Sequence, residues 1–195
     1  MQAARGTSLS HDDSSLNVTP TVPSRARVRT LLVVVAALAY ALDQGTKWLA
    51  VDRLTGEADQ QLLGDLLKLH LTRNAGAAFS TGTGYTELFT LLAVVAALVV
   101  VWLGRRLGSA WWAVAFGLLL AGICGNLTDR LVRSPGILRG HVVDFLQLPH
   151  WPIFNVADMC INVAAVMILV QAARGIRLDG SRAGHGADEP GTPES

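Results

Sequence analysis

Four long apolar runs, at 31–51, 88–104, 110–128 and 153–173, constrain this chain more than any other feature. Each is within reach of the roughly 17–25 residues that a helix needs to cross about 30 Å of hydrocarbon. The composition agrees: 51% of the 195 residues are hydrophobic and only 16% are charged, with the charges crowded outside the runs. A soluble globule is excluded on that pattern. A net charge of +1, with 6% aromatics and no basic stripe, argues against nucleic-acid binding. Cys124 and Cys160 sit singly in apolar runs, which suits small packing residues and offers no disulfide framework. The first run starts too late, and lacks a small-residue cleavage site, for a secretory signal. The fold expected is an all-α membrane protein of four transmembrane helices within a domain over 29–173. The Ser/Thr/Pro/Asp-rich 1–28 and the Gly/Asp/Pro-rich 174–195 read as disordered cytoplasmic tails.

Lys and Arg set the orientation. Four ahead of the first run, two in the 105–109 turn and three in the C-terminal tail make nine on one side, against six in the 52–87 and 129–152 segments. The excess places both termini in the cytoplasm, with Trp48 and Trp151 near the outer boundary and Trp102, Trp111 and Trp112 near the inner one. No whole-span repeat of the transporter kind is visible. The two outer segments are longer than a connection requires, so function is expected there. Leu67-Lys68-Leu69-His70-Leu71-Thr72 alternates strictly and Val142-Val143-Asp144-Phe145-Leu146 does so more weakly, which predicts a small β-sheet platform on the outer membrane surface. The segment from Asn74 to Tyr85, with Gly76, Gly82 and Gly84, is expected to bend over the site.

Ionisable side chains within or at the edge of a span are costly and so point to function. Asp43, Lys47, Asp129 and Asp158 qualify. Asp43 and Lys47, four apart on one helix, can pair with each other, which leaves a structural role open for both, and Lys47 can also snorkel to the surface. Asn126-Leu127-Thr128-Asp129 closes the third run, and Asn155-Val156-Ala157-Asp158 opens the fourth. At that spacing amide and carboxylate share a helix face, so each Asn is expected to orient its own Asp. Asp144 returns on the second strand segment, so three acids converge beside Arg130. No span contains a serine, and no HExxH pair exists for zinc. A divalent site from His141, His150, Asp144 and Asp158 has irregular spacing. Two carboxylates sharing one proton remain as the hydrolytic option. Clustering at one face distinguishes this reading from a small proton-coupled transporter, which needs acids near the midplane, and from a scaffold subunit, which needs none.

Five motifs in order carry a specific resemblance: Asp43-Gln44-Gly45-Thr46-Lys47, Asn74-Ala75-Gly76-Ala77-Ala78-Phe79, Gly125-Asn126-Leu127-Thr128-Asp129-Arg130, Val143-Asp144-Phe145 and Phe154-Asn155-Val156-Ala157-Asp158. Over about 31–173 the chain resembles the bacterial lipoprotein signal peptidases, membrane aspartic peptidases also called signal peptidase II. One departure is Ala121-Gly122-Ile123-Cys124-Gly125, where family members often carry a glycine pair. The resemblance implies that Asp144 and Asp158 form the catalytic dyad. It also implies that Asp43, Lys47, Asn74, Asn126, Asp129, Arg130 and Asn155 line or brace the site. The implied substrate is a diacylglyceryl-modified prolipoprotein, cut before its lipidated cysteine at the outer face of the bacterial inner membrane. Membrane lipids are the other expected partner, and no cofactor or metal is called for. Because Asp158 opens a helix whose positive dipole end favours an anion, Asp144 is the expected holder of the shared proton.

Overall fold

A computed structural model describes residues 24–76 and 85–182. Most of both expected tails, and Ala77, Ala78, Phe79, Gly82 and Gly84 of the expected lid, lie outside the described residues. In chain order the elements are α1 (Arg25–Leu54), β1 (Gln60–Leu63), β2 (Leu67–Asn74), α2 (Thr86–Gly104), α3 (Ala110–Val132), β3 (Val142–Gln147) and α4 (Val156–Ala173). Three helices, α2, α3 and α4, are long and apolar enough to cross a membrane. The fourth expected span, α1, is the longest helix at 30 residues, but polar residues from Asp43 to Lys47 interrupt its apolar surface.

One end of the helices is closed by chain reversals. Ser24 caps α1 by accepting from the Arg27 amide, so the helix begins inside the segment expected to be tail. Arg29 Nη2 donates to the Arg105 carbonyl at 3.0 Å, covering an orphan acceptor at the end of α2. Val28 and Leu32 of α1 pack with Val100, Leu107, Trp112, Ala113 and Phe116. Trp112 is therefore packed in the protein core, set edge-on to Phe116 at 5.9 Å. Residues 174–182 also depart from the expected tail. Leu178 packs on this cluster and its carbonyl accepts from Gly108 at 3.0 Å.

At the opposite end lies an antiparallel sheet in the order β1-β2-β3. The alternation of β2 and β3 is legible in the sequence, whereas Gln60-Gln61-Leu62-Leu63 of β1 does not alternate. Val143 and Phe145 of β3 pack with Ala50 and Leu54, fastening the sheet to the last turns of α1. The start of α2 is tied to the segment before β3: Thr90 Oγ1 donates to the Leu138 carbonyl at 2.9 Å, and Arg139 Nε to Glu87 Oε1 at 2.5 Å. Helix α3 approaches both neighbours closely. A side chain at Gly125 would collide with the Asp43 carboxylate, and one at Gly122 with the Ala157 carbonyl. The two glycines of the departing motif thus both mark close helix approaches.

Candidate active site

Strand register places the first acid. Asn74 pairs with Val142 and Thr72 with Asp144, so Asn74 and Asp144 are diagonal neighbours on one sheet face. Asn74 Nδ2 donates to Asp144 Oδ2 at 3.0 Å, while its Oδ1 accepts from the Gly76 amide at 3.0 Å. The turn role of this residue and its contact with the acid therefore coexist.

Past β3 the chain doubles back, and Phe154 exchanges backbone hydrogen bonds with Leu146 at 2.8 and 2.9 Å. This sets Asn155 beside Asp144 at the head of α4, where its Nδ2 donates to Asp144 Oδ1 at 2.6 Å. Asn155 and Asp158 form a capping box: Asn155 Oδ1 accepts from the Asp158 amide at 3.0 Å, and Asp158 Oδ2 accepts from the Asn155 amide at 3.1 Å. One asparagine thus orients both acids.

The second Asn-x-x-Asp does not behave like the first. Asn126 turns from Asp129 and donates through Nδ2 to Asp158 Oδ1 at 2.9 Å. Its Oδ1 accepts from Lys47 Nζ at 2.9 Å and from Asn155 Nδ2 at 3.2 Å. A lysine ammonium has only donors, so it fixes which way the Asn126 amide faces. The expected own-partner pairing holds for 155/158 and fails for 126/129, because a buried cation stands between the latter two.

That cation is fully enclosed. Lys47 is 0% exposed, which corrects the expectation that it snorkels. Its Nζ lies 3.0 Å from Asp43 Oδ2 and 2.8 Å from Asp129 Oδ2. Asp129 also accepts from Arg133 Nε and, at 3.2 Å, from the Val143 amide. Asp43 accepts from the Ala157 amide at 2.8 Å and from Gln44 Nε2 at 3.0 Å. Three acids do not converge as expected. Asp129 and Asp43 are locked behind the site, tying α1, α3, β3 and α4 together.

Asp144 and Asp158 instead face a cavity of about 320 Å³ that Asn74, Asn126 and Arg130 also line. Arg130 Nη2 donates to the Gly76 carbonyl at 3.3 Å, anchoring the chain beyond β2. Burial, and next the negative charge of Asp158, push the Asp144 carboxyl up to about 6, against the opposing hydrogen bonds of Asn74 and Asn155 and the charge of Lys47. Among the described residues no group of three His, Cys, Asp or Glu is placed to hold a metal ion. The sequence reading missed the apolar wall of Trp151, Pro152, Ile153 and Phe154, and missed Asn162. Asn162 had a signal: it is four residues from Asp158 and so on its helix face.

The class that emerges is a membrane protein whose sheet-capped apolar helices carry two acids at one cavity. Comparison with known proteins is more specific. Residues 35–174 match the family described as signal peptidase (SPase) II. The chain is 45% identical over 174 residues to a lipoprotein signal peptidase of Rhodococcus jostii, covering 89% of this chain and 88% of that protein. It is 48% identical over 160 residues to a lipoprotein signal peptidase of Mycolicibacterium smegmatis, covering 82% and 67%. A bacterial membrane enzyme solved by the in meso method at 1.9 Å resolution superposes with a TM-score of 0.62 at 25% identity, over 72% of this chain and 91% of that one. The chain belongs to the signal peptidase II family and is a multi-pass bacterial membrane protein.

Proposed function

We propose that this chain is an aspartic endopeptidase that removes the signal peptide from diacylglyceryl-modified prolipoproteins, cleaving before the lipidated cysteine. One observation carries the catalytic part. Asp144 and Asp158 are joined through the amides of Asn155 and Asn126 at the mouth of one cavity, and among the described residues neither is ion-paired, unlike Asp43 and Asp129. Amides hold a carboxylate in place without fixing its charge as a salt bridge does.

In this reading Asp158, accepting from one amide and one backbone N–H, is the ionised base that takes a proton from the attacking water. Asp144 carries the shared proton and gives it to the carbonyl oxygen as the tetrahedral intermediate forms. Collapse returns that proton to Asp144, and the proton on Asp158 passes to the leaving amine. Asn74, Asn126 and Asn155 hold the two carboxylates. Asp43, Lys47 and Asp129 brace the helices behind them, and Arg130 anchors the segment beyond β2.

The same reading takes α1 as a fourth span, since its apolar surface runs beside α3, and 29–173 as the membrane domain flanked by cytoplasmic 1–28 and 174–195. Arg25, Arg27, Arg29, Arg105, Arg106 and Arg174 then crowd the inner end. The acids lie at the outer face, where lipid chains can stay in hydrocarbon while the peptide bond meets water.

The test is to incubate purified protein in detergent with a lipidated and an unlipidated prolipoprotein and to weigh the products. Cleavage of the lipidated form before its modified cysteine is expected. Cleavage of neither, or of both equally, would refute the assignment.

A further inference from the structure

Among the described residues lining the cavity, Asn74, Asn126, Asp144 and Asp158 are all hydrogen-bonded within the protein. Asn162 is exposed, lines the same cavity and has no such partner among the described residues. It lies in the apolar helix Val156–Ala173, where a polar group without a partner is costly. Polar side chains facing another segment inside a bilayer are commonly bonded across the contact. An unpaired amide facing the cavity calls for a partner that arrives with the ligand.

We propose that Asn162 is a substrate-positioning residue that hydrogen-bonds the backbone of the signal peptide just upstream of the cut. The inference rests on the peptidase reading and adds to it the placement of the substrate. Helix α4 runs from the acids into the apolar layer, and four residues at 1.5 Å rise put Asn162 about 6 Å deeper than Asp158. A signal peptide takes the same course, with the residues before its cut lying deeper than the cut itself. A helical scissile carbonyl is already bonded to an amide one turn on, so the dyad requires the segment to unwind locally. Each extended residue spans about 3.3 Å, so Asn162 stands level with the second residue before the cut. Unwinding frees backbone N–H and C=O groups at a depth with little water to bond them. An asparagine side chain offers both a donor and an acceptor and can pair with either. Its neighbour Ile161 and the ring of Phe154 supply apolar lining to the same cavity.

Wild type and Asn162→Leu are compared on a lipidated prolipoprotein peptide and on versions in which an ester replaces one backbone amide at each of the three residues before the cut. Asn162→Leu should melt as wild type does and keep its pH profile, because the amide makes no bond among the described residues. It should lose roughly three- to tenfold in kcat/KM, mostly through KM, as expected for one hydrogen bond to substrate. On wild type the ester at the second residue should cost a similar factor. On Asn162→Leu that ester should cost nothing further, while esters elsewhere act equally on both proteins. Losses that multiply at every position, or full activity of Asn162→Leu, would overturn the assignment of Asn162 while leaving the peptidase reading intact. Failure of wild type to cut the parent peptide would overturn both.

Discussion

Two pairs of carboxylates lie one layer apart in this molecule and are treated in opposite ways. Asp43 and Asp129 are 1% and 0% exposed and share the ammonium of Lys47, with Arg133 added on Asp129. Asp144 and Asp158 receive side-chain hydrogen bonds from amides alone and open on a cavity. A buried acid ion-paired to a cation is locked to it, and removing one partner leaves the other buried without compensation. An acid held by neutral donors is positioned while its proton stays free to move. The family motif Asn-x-x-Asp-Arg thus serves both layers. Asn126 reaches forward to Asp158 and Asp129 reaches back to Lys47.

The largest contrast expected is in turnover. Asp144→Asn and Asp158→Asn should each lower cleavage by at least about 10³-fold, and the double variant should be no slower than either single one, since residues acting as a unit are not additive. Initial rates on a lipidated substrate measure this. Additive losses would separate the two acids.

Next in size is stability in the closed layer. Asp129→Asn leaves Lys47 and Arg133 short of a buried partner and should destabilise the protein by about 3–5 kcal/mol. The readout is the unfolding midpoint in detergent. A variant that melts like wild type would show the network to be unimportant for stability.

Asn126 links the layers, and its removal sharpens the comparison. Asn126→Leu takes a donor from Asp158 and an acceptor from Lys47. Turnover should fall roughly 10- to 100-fold, corresponding to one lost bond to a charged group. If only the melting point moved, Asn126 would belong to the closed layer alone.

The smallest effect concerns pH. The Asp144 carboxyl, at about 6 against an ordinary 3.8, binds more protons folded than unfolded between those values. The stability this lends is complete below the ordinary value and is lost as pH rises through about 6. Asp144→Asn should therefore remove about 1–2 kcal/mol of the stability loss that wild type shows between about pH 5 and pH 8. Identical pH dependence in the two proteins would place the raised acid elsewhere.

Much of this comparison was legible in the sequence. Apolar runs marked α2, α3 and α4, alternation marked β2 and β3, and acids flanked by apolar residues marked the site. What escaped depended on contacts between segments far apart in the chain. Lys47 read as an i, i+4 partner of Asp43, but nothing local shows that Asp129, 82 positions on, completes its shell. The spacing of Asn126 and Asp129 matched that of Asn155 and Asp158, yet the first pair lies within a helix and the second across its cap. Local spacing gives proximity; the cation and the cap decide the partner. β1 stayed hidden because its four residues pair only once β2 is in place.

The most direct test runs Asp144→Asn and Asp129→Asn side by side, at matched amounts of folded protein, on one lipidated prolipoprotein with products read by mass. Asp144→Asn should yield no cleaved product over a time in which folded Asp129→Asn cleaves readily. Cleavage by Asp144→Asn with none by folded Asp129→Asn would contradict the division of labour and move the chemistry to the inner pair.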